Sequence, residues 1–300
     1  MRLISTRNEV ARAVFSRTFL ASVLLQMFLL WLGAREDWQF RDQVDAFYLF
    51  ALSRENAMFS LFAPMVAVLP YVLTFAADWQ QKSVYFQIHR QSRHEYTVSR
   101  IAAAVLSGGL AMALGTSFYA VACLFLSPAN SHIVEVWRSY ADGSWLEPFF
   151  RSTGGRGYVC LSIGLDALAG MVWACVGLML AIAIRQPIIA LLGTQATYLL
   201  FLRVPMLSHL YQPNLYFVPA ISPGSLSLLQ IIGVQLAIIM SLAVFLLLII
   251  PKRTYKLGVN LSMTFKLQRL LRLPFVLKEA NVWLVVFAFE FLRPLIFFGN

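Results

Sequence analysis

The 300-residue sequence predicts an all-α, polytopic membrane protein with six transmembrane helices and an interfacial helix near each end. Three observations predict it. Hydrophobic residues make up 59% of the chain and charged residues 13%, whereas a soluble domain is about 45–50% apolar and about 25% charged. Too little polar surface remains to face water. Six apolar runs approach the roughly 20 residues that a spanning helix needs. Lys and Arg then divide unevenly between the alternate segments that join those runs, 16 against 7. The same composition excludes a disordered chain, a coiled coil, a collagen and a disulfide-rich scaffold. Cys123, Cys160 and Cys175 lie in apolar runs, with no metal-type spacing and no disulfide expected.

The first run is Thr18–Ala34. Residues 1–17 precede it and carry Arg2, Arg7, Arg12 and Arg17, with Leu3, Val10 and Val14 spaced for one helical face. They predict an interfacial helix leading into the first span, not a cleaved signal. The second run is Ala57–Ala77 and contains Pro64 and Pro70. These prolines should kink the span or leave carbonyls for neighbouring helices to satisfy. The third run, Ile101–Ser127, repeats small residues every four positions at Ala103, Ser107, Ala111 and Gly115, a close-packing ladder. The fourth run is Tyr158–Ile184 and the fifth is Pro187–Pro205, opened by its proline. The sixth is Ser225–Ile250, with Ser222-Pro223 as its lead. Residues 18–256 thus form the transmembrane domain. Residues 257–300 follow it as a basic amphipathic stretch, Thr264–Lys278, and an apolar one, Val282–Phe298. Glu290, Arg293 and Pro294 favour a surface or re-entrant helix there over a seventh span.

The excess of Lys and Arg assigns the N-terminus and the segment after the sixth run to the cytoplasm. It also explains the net charge of +10 without nucleic acid, since neither a clustered basic face nor a binding module is present. The segment 35–56, rich in Asp and Glu, and the loop 128–157 become outer loops.

Enzyme signatures are missing. No Walker loop occurs, so ATP is not expected to bind this chain. Gly154-Gly155-Arg156-Gly157 lacks the Lys-Ser/Thr ending and reads as a flexible outer loop. His94-Glu95 opens like a zinc-protease motif, but Val98 stands where the second His is required. His89 and His94 are poorly spaced for one helix face, and no metal site is expected. Asp166 is the only acid within the six runs. With Gly170 and Ala174 it forms a small face at i, i+4, i+8, which another helix can approach closely. Asp166 is therefore expected to face protein, with Arg203 or Tyr198 as partner. It is either a buried interhelical pair or a contact for substrate or ion. Thr194, Gln195 and Thr197 make the fifth run polar, to line a path or to bond neighbouring helices. The connecting loop 78–100 is short, basic and aromatic, with Tyr85, Phe86, Arg90, Arg93, Tyr96 and Arg100. It serves to hold the cytoplasmic side or to dock a soluble partner.

Several of these pieces, taken in order, resemble the permease subunits of ABC transporters of the type-2 exporter class, especially those associated with bacteriocins and other small peptides. They are Phe62-Ala63-Pro64 with Ala67-Val68-Leu69-Pro70-Tyr71, then Arg90, Arg93, Tyr96 and Ser99-Arg100, then Ser107-Gly108-Gly109, Gly164-Leu165-Asp166 with Gly170, and Ser222-Pro223. The resemblance covers about residues 1–255. Val84 stands where a small Gly is common, Arg100 replaces Lys, and the segment after Lys256 has no counterpart. The resemblance implies six helices per permease, two permeases (identical or different) and two cytosolic ATPase subunits that carry ATP and Mg. It implies a coupling helix in loop 78–100, with Tyr85, Phe86, Arg90, Arg93 and Tyr96 at the ATPase. It also implies that Pro64, Pro70, Gln195 and Tyr198 line an exit path. The expected protein is a non-catalytic permease of the bacterial inner membrane that exports a peptide or other amphipathic substrate. The competing expectation is a membrane scaffold or peptide sensor without transport.

Overall fold

A computed structural model describes residues 2–42, 44–55, 57–80, 92–127, 147–184, 186–203 and 228–271. The chain divides into two compact units, Met1–Thr254 and Tyr255–Asn300. Among the described residues the structure is entirely helical. The helices are α1 (Arg2–Val14), α2 (Arg17–Gly33), α3 (Ala46–Glu55), α4 (Ala57–Val68), α5 (Val72–Gln80), α6 (Arg93–Leu126), α7 (Glu147–Ile184), α8 (Pro187–Arg203) and α9 (Leu228–Leu271), with a short 3-10 helix at Asp37–Phe40. Among the described residues three helices, within α6, α7 and α9, are long and apolar enough to cross a membrane; counting two bent pairs as single spans raises this to five. The bent pairs are α1 with α2, at 50°, and α4 with α5, at 46°. α8 is apolar but has only 17 residues.

Local chemistry fixes several helix starts. Ser16 caps α2, its hydroxyl accepting the Phe19 N–H at 3.0 Å. Ser92 and Glu95 form a reciprocal capping box at the head of α6. That box starts α6 eight residues before the expected Ile101. α8 opens at Pro187, where the missing N–H is one that a first helical turn leaves unbonded in any case.

Two stretches expected in loops are helical. Segment 35–56 contributes the 3-10 helix and α3, whose Ala46, Leu49, Phe50, Ser53 and Arg54 are buried on one face. Asp45 caps α3, accepting the Phe47 N–H at 2.7 Å. Gly154-Gly155-Arg156-Gly157 lies inside α7. A side chain at Gly155 would collide with the ring of Phe47, so glycine lets α3 lie directly on α7. Packing here outweighs the roughly 1 kcal/mol that each helical glycine costs.

α6 and α7 form the most extensive helix pair. Their crossing needs glycine on both sides. A Cβ at Gly170 would stand 2.7 Å from the Gly108 carbonyl oxygen, and one at Gly108 would stand 2.7 Å from the Ala174 Cβ and 3.0 Å from the Gly170 carbonyl oxygen. The small ladder Ala103, Ser107, Ala111 and Gly115 is buried, while Leu110, Leu114, Phe118 and Val121 on the opposite side of α6 are exposed. The aromatic core contains Phe50, Tyr119, Tyr158, Trp173 and Tyr198, all almost wholly buried. Val14 of α1 packs against Phe19, Val23 and Ala111, so this apolar residue of α1 meets the bundle, while Phe15 beyond the helix is 89% exposed. Cys123 and Cys175 are buried and Cys160 is exposed; all three are free thiols. Ser222-Pro223 and Val282–Phe298 lie outside the described residues, as does the part of Thr264–Lys278 beyond Leu271.

Candidate functional site

The broken second span is the first polar feature. Pro64 sits within α4 and Pro70 at the break before α5. A proline has no N–H, so Pro70 cannot bond the carbonyl of Val66, four residues earlier. Ser22 of α2 supplies the missing donor: its hydroxyl donates to the Val66 oxygen at 2.6 Å. The carbonyl of Pro70 accepts from Thr18 at 3.1 Å. Near Pro64, the Gln195 amide of α8 donates to the Leu61 oxygen at 2.6 Å. Ser22 thus satisfies the carbonyl that Pro70 leaves without its helical donor, as apolar surroundings require, while Gln195 ties α8 to the backbone of α4 one residue from the carbonyl that Pro64 frees.

A buried ionic knot joins four helices. Arg54 of α3 grips Asp166 of α7 with both guanidinium nitrogens, at 2.6 and 2.7 Å. Both side chains are 0% exposed. Thr116 of α6 donates to Asp166 Oδ2 at 2.6 Å and accepts from Gln26 of α2 at 3.3 Å. Phe50 and Phe59 place ring faces near the guanidinium, with centroids at 5.8 and 5.3 Å. Burial works against the charge on Arg54, but Asp166 and the Tyr158 hydroxyl outweigh it and hold its pKa above the usual value. The forked, two-bond geometry is the strong form of an arginine–carboxylate contact. It fixes the relative rotation of α3 and α7, with α6 and α2 tied in through hydroxyl and amide.

A second polar cluster lies where α1, α5 and α6 meet. Arg100 Nη1 donates to Glu9 at 2.7 Å and to the Tyr71 hydroxyl at 2.5 Å, and lies 3.6 Å from Asp78. Arg12 lies 3.5 Å from the same Asp78 oxygen. The Tyr96 ring stacks on the Arg100 guanidinium at 4.9 Å. Glu9 and Arg12 are one turn apart on α1. Asp78 is near the end of α5 and Arg100 about two turns into α6, so the cluster ties α1 to the helices that precede and follow residues 81–91.

The residues singled out from sequence fall into three groups. Asp166 faces protein, but its partner is Arg54. Arg203 is exposed at the end of α8, too solvated to pair with a wholly buried carboxylate, and Tyr198 packs its ring edge on Trp173 at 5.4 Å. Gln195 bonds the backbone of α4, and Thr194 and Thr197 donate back to carbonyls of their own helix. Tyr85, Phe86 and Arg90 lie outside the described residues, and Arg93 is the first residue of α6. Tyr96 is 1% exposed and lies against the Arg100 guanidinium. Sequence reasoning missed Arg54, Glu9 and Asp78. The signal for Arg54 was present: Ala46, Leu49, Phe50, Ser53 and Arg54 follow the i, i+3, i+4, i+7, i+8 pattern of one helix face. Among the described residues no group of His, Cys, Asp and Glu is suited to a metal ion. No family model, no curated protein and no solved structure matches this chain.

Proposed function

We propose that this chain is the permease subunit of an ABC exporter, moving a peptide or other amphipathic substrate out of the cytoplasm. Cytosolic ATPase subunits hydrolyse ATP with Mg and drive a pair of permeases. The observation that supports this reading most is the charged cluster that ties α1 to the helices flanking the basic, aromatic connector 81–91. A segment that only retained its side of the membrane would need no such anchorage, whereas one that receives force from a partner does. The helices that change direction at prolines supply movable joints. The missing Walker motif leaves hydrolysis to a separate chain.

In this reading six spans cross the inner membrane: α2, α4 with α5, α6, α7, α8 and the first part of α9. α2 and α8, at 17 residues each, reach about 25 Å at 1.5 Å per residue, close to the hydrocarbon thickness. The N-terminus and the connector face the cytoplasm, where α1 lies at the interface. Asp166, Gln195 and Tyr198 are engaged between helices of one chain. The substrate path therefore lies between two permeases and not through the middle of one.

That same engagement of the interior polar residues favours the second reading, a scaffold or peptide sensor with no path of its own. Capture of the full chain from its host in mild detergent, with partners quantified by mass spectrometry, separates the two. A stoichiometric ATPase, lost on Arg90→Glu with Arg93→Glu, is the expected result. Retention of other partners with no ATPase overturns the exporter reading.

A further inference from the structure

We propose that the outer face of α1 and the elbow into α2 form a site for anionic phospholipid headgroups, with Arg7, Arg12 and Arg17 as the cations and Phe15 as an apolar wedge. The inference rests on the reading that α2 spans the membrane and α1 lies at its surface. An interfacial helix ordinarily dips its apolar side into the acyl boundary. α1 turns that side to the bundle instead: Ala13 is buried, and Val14 packs on Phe19, Val23 and Ala111. Its one acid points inward as well, Glu9 accepting from Arg100 at 2.7 Å. What α1 presents outward is Arg7, Asn8 and Arg12, which share one side at 3.6 residues per turn. Phe15 continues that side. Its N–H still donates to the Ala11 carbonyl at 2.9 Å, and the residue is 89% exposed.

The neighbouring surface identifies the occupant. On α2, Arg17, Leu20, Leu24, Phe28 and Trp31 are exposed at i, i+3, i+7, i+11 and i+14, a single stripe. Lipid chains cover its four apolar members when α2 spans, which puts Arg17 at the level where those chains meet their headgroups. Among the described residues no carboxylate stands within ion-pair reach of Arg7 or Arg17, and Arg12 meets Asp78 only at 3.5 Å while 48% exposed. Three cations with no acid on their side, next to an exposed aromatic ring, complement a phosphodiester surface of net negative charge. Each basic residue near such a surface strengthens binding about fivefold. The elbow itself is held, since Ser16 caps α2 and Thr18 donates to the Pro70 carbonyl at 3.1 Å.

The test uses the full chain in nanodiscs of mixed phosphatidylcholine and phosphatidylglycerol, with Cys160→Ser and a fluorophore on Asn8→Cys, within the exposed face. Nitroxide-labelled lipid of each kind quenches the fluorophore, and the ratio of the two association constants is read. Phosphatidylglycerol should be preferred about fivefold or more. Arg7→Gln with Arg17→Gln should bring the ratio near one, Arg7→Lys with Arg17→Lys should keep it, and Phe15→Ser should weaken quenching by both lipids alike. Equal constants in the parent chain, or a preference that the double glutamine variant keeps, overturns the proposal. So does polyglutamate that shields the fluorophore where phosphatidylglycerol does not, which assigns the face to an acidic protein. A fluorophore on Leu24→Cys tests the underlying reading. No quenching there by either lipid means that α2 does not span, and the site falls with it. Quenching at Leu24 with no preference at Asn8 overturns the lipid site alone.

Discussion

Substituting Asp166→Asn removes the negative charge that faces a wholly buried guanidinium. We expect a loss of about 3–5 kcal/mol, the usual cost of stranding one member of a buried pair. Thermal unfolding in nanodiscs measures it. The double replacement Arg54→Met with Asp166→Leu should recover most of that loss, since neither charge then has to be desolvated. Failure of the double variant to recover would show that the pair contributes more than its mutual neutralisation. Arg54→Lys should not be benign, because an ammonium cannot make the two parallel bonds at 2.6 and 2.7 Å. Asp166 was legible in the sequence because an acid in an apolar run must be compensated. Its partner was not, because the acids around Arg54 make segment 35–56 read as solvated. The face that Arg54 shares with Leu49 and Phe50 becomes decisive only when α3 is seen against α7.

At the scale of the helix, glycines with different surroundings make opposite predictions. Gly170→Ala places a Cβ against the Gly108 backbone, which cannot rotate away, and should destabilise by about 1–3 kcal/mol. Gly164→Ala, where nothing lies within 4 Å of the added carbon, should stabilise by about 0.4–1 kcal/mol through the unfolded chain. Side-by-side melting curves decide both. The prolines give a coupled prediction. Ser22→Ala should cost about 1 kcal/mol in the natural chain and less in Pro70→Ala, where the restored N–H can bond Val66. A double-mutant cycle with no coupling would remove Ser22 from its assigned role. The small faces on α6 and α7 and the disturbance by proline were legible because each follows from one residue's size or missing donor. The extended starts of α6 and α7 were not. Apolar composition marks membrane depth, whereas Ser92 capping decides where α6 starts to coil, and the glycines of α7 read as a loop until Phe47 is seen against Gly155.

Across the whole molecule, the Lys and Arg asymmetry predicts sidedness that labelling can read. With Cys160→Ser as background, Asp42→Cys should react with a membrane-impermeant thiol reagent on intact cells. His94→Cys should react only after permeabilisation. The reverse pattern would invert the orientation. The all-helical, apolar character of the chain was legible from composition alone. The number of crossings was less so, because α2 and α8 are short, and α4 with α5 is one apolar run bent at a proline. The charged cluster was legible only in part. Arg100 stood out in the basic loop, but Glu9 and Asp78 lie 91 and 22 residues from it, and only the fold brings them together.

The repairs around the two prolines also have an order in time. Synthesis proceeds at about 5–20 residues per second. Ser22 is already made when Val66 and Pro70 leave the ribosome, so the second bend can be sealed as it enters the bilayer. Gln195 follows Leu61 by 134 residues, or about 7–27 s at that pace. During that interval the newborn second span has its bend at Pro70 sealed but lacks the tie that Gln195 makes to the backbone beside Pro64. A nascent chain halted before residue 195 is therefore the form in which this span is most exposed to quality-control proteases.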